Sequence, residues 1–187
     1  MMQRALLAVR NLLTRFGMAR EGAAAVEFAL ILPFMLTLYV GSIELSDLIS
    51  VDSRVTVIAG TIGDLVARTD GSLSQSTLTD YFNAAEEIMT PYSVTGLKQL
   101  VTCVKVSSTG VATVEWSRGT SGTTAKTTGS TLSLPTAITN ISKNSYVIVS
   151  ETSYAYKPLL GMVIQTAVNL YRQNFHLPRF GKKIDIT

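Results

Sequence analysis

The sequence predicts an α+β protein in which one long N-terminal helix precedes a small domain with a short helix and an antiparallel sheet. Residues 23–43 form an apolar run, and residues 44–68 continue it with apolar residues at helical spacing. Later segments alternate apolar and polar residues, as half-buried strands do. Only 16% of the 187 residues are charged, against about 25% in an average soluble domain. Part of the surface is therefore expected to face something other than water.

The apolar run is long enough to cross a bilayer. From Ala23 to Ile43, Glu27 is the only charged residue. At about 1.5 Å per residue this helix spans roughly 30 Å, the thickness of the hydrocarbon core. A cleavable secretory signal would have a shorter apolar core followed by an A-x-A-like site. We therefore predict a retained transmembrane helix over residues 23–43, in contact with the lipid bilayer.

Pro33 lies inside this predicted helix. Proline lacks the N–H that would bond to the Ala29 carbonyl, so a kink near residues 29–33 is expected. Bilayer helices tolerate such a proline where a neighbouring group satisfies the freed carbonyl. Two interpretations of Pro33 are open, a kink without further role and a packing role within an assembly.

The excess positive charge lies before the apolar run. Residues 1–22 carry four arginines and Glu21, a balance of +3, and the remaining residues balance to zero. The basic pI is therefore a property of this leader and does not predict a nucleic-acid-binding surface. No basic residue follows until Arg54, and the positive-inside bias places the leader in the cytoplasm.

The helical pattern continues beyond the membrane. Apolar residues recur at three- and four-residue spacings, although Gly60 and Gly63 weaken the pattern. One helix is predicted from about residue 23 to residue 68, with its outer stripe packed against its own C-terminal domain. The stripe comprises Leu45, Leu48, Ile49, Val55, Ile58, Ala59, Ile62, Leu65 and Val66. The predicted divisions are a cytoplasmic leader (1–22), a transmembrane helix (23–43), an amphipathic extension (44–68) and an extracytoplasmic α+β domain (69–187).

The remainder of the chain supplies the second half of the fold. A short helix is predicted with Leu78, Phe82, Ala85 and Met89 on one face, ended by Pro91. Two alternating runs, "LKQLVTCVKVSS" and "GVATVEWSRG", predict a hairpin. "SYVIVSETSYAYKPLL" predicts a third strand, and "TAVNLYRQNFHLPRF" a weaker fourth one. The Gly-, Ser- and Thr-rich residues 119–133 are expected to form a flexible exposed loop.

No pattern in the sequence predicts catalysis, a cofactor or a metal site. His176 is the only histidine, and a surface position is expected for it. Glu86 and Glu87 are adjacent, and neighbours on a helix point apart, which disfavours paired acid and base chemistry. No glycine loop of the phosphate-binding type is present. We therefore predict that the protein is not an enzyme.

Cys103 and the C-terminal lysines have plain structural interpretations. Cys103, the single cysteine, is expected to be a buried strand residue, with an intermolecular bridge or a reactive thiol as the alternatives. Lys182 and Lys183 are expected to belong to a solvated tail.

The start of the apolar run resembles a known processing region. "REG" followed by "AAAVEFALILP" is similar to the cleavage region of the TadE-like pseudopilins of the tight-adherence (Flp) pilus system. The resemblance implies that a prepilin peptidase cuts between Gly22 and Ala23 at the cytoplasmic face. Glu27 would then be the fifth residue of the mature chain, where pilin-like proteins carry a membrane-embedded glutamate. That carboxylate would pair with the new amine of Ala23, within one chain or between subunits, and so set the helix register.

Two C-terminal motifs extend the resemblance. "VIVSETSYAYKPLLG" looks like the family's late strand, and "NFHLPRFG" is similar to its aromatic Pro-Arg ending. An arginine commonly precedes that proline in the family, and Leu177 stands there in this chain. The resemblance implies a component of pilus assembly in the bacterial inner membrane, with other pilins, pseudopilins and pilus-assembly membrane proteins as partners. The alternative is a signal-anchored extracytoplasmic binding domain unrelated to pili, and an anchored hydrolase is a weaker third.

Overall fold

The computed structural model describes residues 22–187, so the predicted leader, apart from Gly22, lies outside the described residues. The helices are α1 (Ala23–Ala67), α2 (Gln75–Glu86), which a 3₁₀ turn (Glu87–Met89) extends, and α3 (Thr136–Ile141). The strands are β1 (Ser72–Leu73), β2 (Lys98–Val106), β3 (Ala112–Gly119), β4 (Tyr146–Tyr156), β5 (Val168–His176) and β6 (Asp185–Ile186).

The long N-terminal helix is confirmed. α1 runs through 45 residues without a break and includes Pro33. One turn after the proline, the Thr37 hydroxyl donates to the Pro33 carbonyl at 2.8 Å. Such a bond to the preceding turn gives a polar side chain an internal partner within an apolar segment. The kink near residues 29–33 stays a prediction.

The antiparallel sheet is also confirmed, and α1 packs across one of its faces. The strand order is β3-β2-β4-β5, with every neighbouring pair antiparallel. α2 packs beside α1 through Leu78 and Phe82, and Ser74 caps its first turn by accepting from the Thr77 N–H at 3.0 Å. The core between helices and sheet contains Val51, Val55, Ile58, Ile62, Val66, Val101, Cys103, Ile148 and Tyr154.

The opposite face of the sheet has its own small core. Val104, Val147 and Val149 are buried there beneath the segment that leads into α3. Leu132, Leu134, Ile138 and Phe175 complete this cluster as partly buried neighbours. Both faces of the sheet are therefore covered, which explains the near-continuous apolar character of β2 and β4.

The expectation of a flexible loop over residues 119–133 is wrong for its second half. The Gly129 N–H donates to the Val114 carbonyl at 2.8 Å, and the Leu132 N–H donates to the Ala112 carbonyl at 2.9 Å. The segment therefore lies along the open edge of β3 and satisfies backbone groups that the edge would expose. Its side chains remain mostly exposed, as expected from its polar composition.

The C-terminal tail differs from its prediction too. Ile184 is only 1% exposed, and the Trp116 indole N–H donates to its carbonyl at 2.6 Å. β6 pairs in parallel with β1, so the chain end is part of the fold. Lys183 bridges Glu115 and Asp185, each at 2.9 Å, and the hydrogen bond to Glu115 is the main reason that the pKa of Lys183 is raised.

The buried stripe of α1 begins later in the chain than predicted. Val55, Ile58, Ala59, Ile62 and Val66 are buried as expected. The first positions of the stripe are not, because Leu45 and Ile49 are exposed, and Leu65 is only partly buried. Leu48 is partly buried against the domain core, and full burial of the stripe begins at Val51.

Candidate membrane anchor and processing site

In the inner half of α1, residues 23–43, the described residues leave 23–39 exposed, and only Val40 and Gly41 near the outer end are partly buried. α1 is long and apolar enough to cross a membrane, and none of its most apolar 18-residue window is buried. Large apolar side chains are exposed on every side of this half of the helix, so it has no polar face that could be turned toward water. They comprise Val26, Phe28, Leu30, Ile31, Leu32, Phe34, Met35, Leu36, Leu38, Tyr39 and Ile43. Burying such a surface requires lipid or other apolar helices.

The predicted processing bond lies at the first turn of α1. Gly22 is the N-cap residue and Ala23 is the first helical residue. Gly22 has a φ of −89°, which any amino acid adopts, and a Cβ added there would meet nothing within 4 Å. The described fold therefore gives no reason for a glycine at this position.

Glu27 lies one helical turn after Ala23 and is exposed. Residues four apart are neighbours on a helix surface, so an amine at Ala23 and the Glu27 carboxylate would lie on the same side of α1. The described contacts give Glu27 no ion-pair partner within residues 22–187. The first turns of α1 therefore place the predicted processing bond near this carboxylate, and no described residue beside the bond is a candidate to cleave it.

Glu44 is a second notable carboxylate, which the sequence pattern did not single out. It lies just beyond the predicted transmembrane segment and is only 2% exposed. Its two oxygens accept from the N–H groups of Met162 at 2.8 Å, Val163 at 3.2 Å and Ile164 at 2.7 Å. Hydrogen bonds to an ionised acceptor are stronger than neutral ones, so this contact fixes the β4–β5 connection to α1.

The opposite end of α1 is held by the Pro-Arg motif. The Arg179 guanidinium pairs with Asp64 at 2.6 Å, and its backbone N–H donates to the Ala67 carbonyl at 2.9 Å. A free carbonyl at the last turn of a helix needs such a donor. The Pro-Arg motif and the segment that directly follows the first C-terminal motif therefore contact α1 at two levels.

His176 corrects the expectation of a surface histidine. It is half-buried at the end of β5, where its ring lies against Gly63 of α1. Burial is the main cause that lowers the pKa of His176. A Cβ on Gly63 would lie 2.4 Å from the His176 Cδ2 and 2.6 Å from the Ser150 Oγ. Gly63 therefore permits the close approach of helix and sheet.

Cys103 is buried as predicted, in the core between α1 and the sheet. Burial raises the pKa of its thiol to about 12. The thiolate is the reactive form, so this cysteine is chemically silent at neutral pH in the folded protein.

A polar cleft of about 190 Å³ lies on the other face of the sheet. Glu151 in this cleft pairs with Lys126 at 3.0 Å and accepts from the Tyr171 hydroxyl. Burial and this hydrogen bond raise the pKa of Tyr171, which leaves the phenol a poor proton donor or acceptor at neutral pH. In the part of the chain described, no group of three or more His, Cys, Asp or Glu residues is arranged to hold a metal ion.

Together these features define a class of protein, an α+β domain built on one long helix whose free end is consistent with a single-pass membrane anchor. Residues 22–59 match the family model of the TadE-like proteins, which confirms the resemblance at the processing region and connects the chain with the tight-adherence (Tad) pilus. The match covers α1 as far as Ala59, and the C-terminal motifs lie outside it. Comparisons with curated proteins and with solved structures find no match.

Proposed function

We propose that this chain is a pseudopilin-like, non-catalytic component of tight-adherence pilus assembly, matured by a prepilin peptidase that cuts between Gly22 and Ala23. It sits in the bacterial inner membrane with the leader in the cytoplasm and the α+β domain outside. Its partners are the peptidase, other pilins or pseudopilins and further pilus-assembly membrane proteins. No nucleic acid and no cofactor takes part.

The observation that carries this proposal is the agreement of two boundaries. The family match begins at Gly22, and α1 begins at Ala23 with an exposed apolar run after it. A cut between Gly22 and Ala23 would leave all 45 residues of α1 in the mature chain. The cut would also leave Glu27 one turn from the new amine.

A cut after Gly22 would also create a charge pair between the new amine of Ala23 and the carboxylate of Glu27. The α-amine at the start of a chain ordinarily has a pKa of about 7.7–8.0 and is therefore largely cationic at neutral pH. A carboxylate deep in a bilayer costs roughly 3 kcal/mol on insertion scales, and a paired cation offsets part of this cost. Because Glu27 is exposed along α1, its carboxylate is accessible to the amine of a neighbouring subunit as well as to its own.

The processing step is tested by replacing Gly22 with valine. Gly22→Val has open space and an ordinary φ, so the described fold should tolerate it. We expect Gly22→Val to keep residues 1–22 while the wild-type chain loses them, read by intact mass of the membrane fraction. Ala25→Val is the matched control and should be cut normally. If wild-type protein made beside a prepilin peptidase keeps its leader, the pseudopilin proposal is wrong and the unrelated anchored binding domain is favoured.

The role of Glu27 is tested on correctly processed protein. Glu27→Gln should insert and be cut as well as wild type, because a neutral amide costs less in lipid and the bond after Gly22 is unchanged. Pilus formation, or crosslinking to other pilins, should fall because the amine of Ala23 loses its counter-charge. Glu27→Asp should be intermediate. Normal fibres from the processed Gln variant would assign Glu27 no part in assembly.

A further inference from the structure

The connection between β4 and β5 has an unusual surface. We call residues 157–167 the junction loop. After Lys157 it contains no charged residue, and most of its apolar side chains are exposed, although Pro158 is buried and Ile164 is partly buried. Leu159 is 95% exposed, and Leu160, Met162 and Val163 are all exposed. An exposed apolar cluster of this kind marks a contact surface, because water would favour its burial.

The junction loop lies beside the outer end of the predicted transmembrane segment of α1. A Cβ on Gly41 would lie 3.5 Å from the Val163 side chain, so the loop packs at the last turn of the apolar run. Tyr39, an exposed aromatic residue of the kind enriched at the membrane boundary, lies two residues before Gly41. The loop is therefore level with the outer end of the predicted span.

The burial of Glu44 is a second observation that favours contact between the junction loop and an apolar surface. Glu44 is the charge on α1 nearest to the loop, and the loop's own N–H groups enclose its carboxylate until only 2% of the residue is exposed. A bare carboxylate at this level would oppose contact with hydrocarbon. With Glu44 enclosed, the surface that continues from α1 to the loop presents apolar side chains.

We infer that the junction loop is a second membrane contact, which inserts Leu159, Leu160 and Met162 into the outer leaflet beside α1. The inference rests on the proposed insertion of α1. A lipid surface is favoured over a protein partner because the apolar surface of the loop is continuous with that of the span, so the bilayer that surrounds α1 is already adjacent. Lys157 at the base of the loop suits the headgroup level, where lysine keeps its charge in water and attracts anionic lipid.

This geometry would set the tilt of the domain. One helix fixes the domain's distance from the membrane but leaves the domain free to lean in any direction. A loop anchored on one side of α1 limits that tilt and holds the loop side of the domain against the membrane.

The inference is tested by measuring depth with a nitroxide spin label in the full chain. The labelled variants are Leu160→Cys, Ile141→Cys as an exposed apolar reference on α3, and Leu36→Cys as a reference within the span. The native Cys103 is fully buried, and we expect it to stay unlabelled in the folded chain. The chain is reconstituted in vesicles of phosphatidylcholine and phosphatidylglycerol, and collisions with oxygen and with a water-soluble nickel complex are compared.

We expect an oxygen-to-nickel ratio at Leu160 that is several-fold above that at Ile141 and approaches that at Leu36. Glu44→Gln, which replaces one acceptor oxygen by a donor, should shift the Leu160 ratio toward the Ile141 value. Equal ratios at Leu160 and Ile141 would overturn the inference while leaving the anchor intact. Spin–spin broadening at Leu160 that disappears on dilution into lipid would overturn it in favour of a second copy. Nickel access at Leu36 would overturn the anchor itself and this inference with it.

Discussion

The two halves of α1 are alike in backbone and opposite in surroundings. Residues 23–43 expose apolar side chains on all sides, whereas residues 51–67 bury one apolar face against the sheet and α2 and leave Val57 exposed. Ile31 is 53% exposed and Ile58 is 0% exposed, although both are isoleucines in the same unbroken helix. One helix is therefore shared by two environments, and the folded domain accounts for only one of them.

The change of environment is sharply located. Glu44 is enclosed by the junction loop, and the first fully buried apolar residue of the helix, Val51, lies two turns later. Arg172 pairs with Asp52 next to that position and ties β5 to the same turn. The outer half is therefore fixed to the domain by polar contacts as well as by apolar packing.

The largest expected effect comes from removing side-chain volume in the outer half. Ile58→Ala should lower the free energy of unfolding by about 2–5 kcal/mol, because it leaves a cavity in a fully buried site. Ile31→Ala, the matched change in the inner half, should leave the unfolding of the domain unchanged. Thermal unfolding of the full chain in detergent, followed by the fluorescence of Trp116, measures both. Equal losses in the two variants would mean that the inner half also belongs to the folded core.

The next largest effect is a difference in stability between alanine substitutions at two glycines of the outer half. Gly63→Ala should destabilise the domain by about 1–3 kcal/mol, because its Cβ would overlap His176 and Ser150. Gly60→Ala meets only the Asn174 amide, at 3.5 Å, and should stabilise the helix by up to about 1 kcal/mol. Denaturant unfolding of the two variants compares them. A destabilised Gly60→Ala beside an unchanged Gly63→Ala would refute the close helix–sheet approach.

The smallest effect concerns the boundary between the halves. Glu44→Gln should leave global stability nearly unchanged but release the junction loop, because one amide oxygen cannot replace two carboxylate oxygens for three N–H donors. Amide hydrogen exchange at residues 162–164 should become faster, while exchange in β4 stays constant. Asp47→Asn, on the next turn of α1, is the control and should not change loop exchange. Unaltered protection at residues 162–164 in the Gln variant would count against the Glu44 contact.

Patterns of apolar spacing predicted most of this fold. The long helix, the short helix, the hairpin and both later strands follow from periods of three to four or of two residues, and burial of Cys103 follows from its strand. The resemblance to the TadE-like family is visible in the sequence because the residues that carry it, including Gly22, Ala23 and Glu27, are contiguous, and the match over 22–59 confirms that resemblance. The cleavage itself stays a prediction.

The errors arose where a residue's partners are distant backbone groups. Glu44 is satisfied by N–H groups 118–120 residues away, and backbone donors leave no mark in side-chain patterning. The same cause applies to residues 119–133, where carbonyls and N–H groups of β3 hold a polar segment in place. The prediction of a solvated tail is wrong because the alternation there is short: only Ile184 and Ile186 are apolar, among lysine, aspartate and threonine.

The division of α1 between membrane and domain is tested most directly by two cysteines with similar exposure. Leu36→Cys and Ile49→Cys both lie on exposed helix surface, one inside the predicted span and one beyond its outer end, and the buried Cys103 is not expected to react. Spheroplasts are treated with a membrane-impermeant maleimide before and after detergent. We expect Ile49→Cys to react at once and Leu36→Cys to react only after detergent. Reaction of Leu36→Cys without detergent, or of Ile49→Cys only after lysis, would contradict a helix anchored through residues 23–43 with its domain outside.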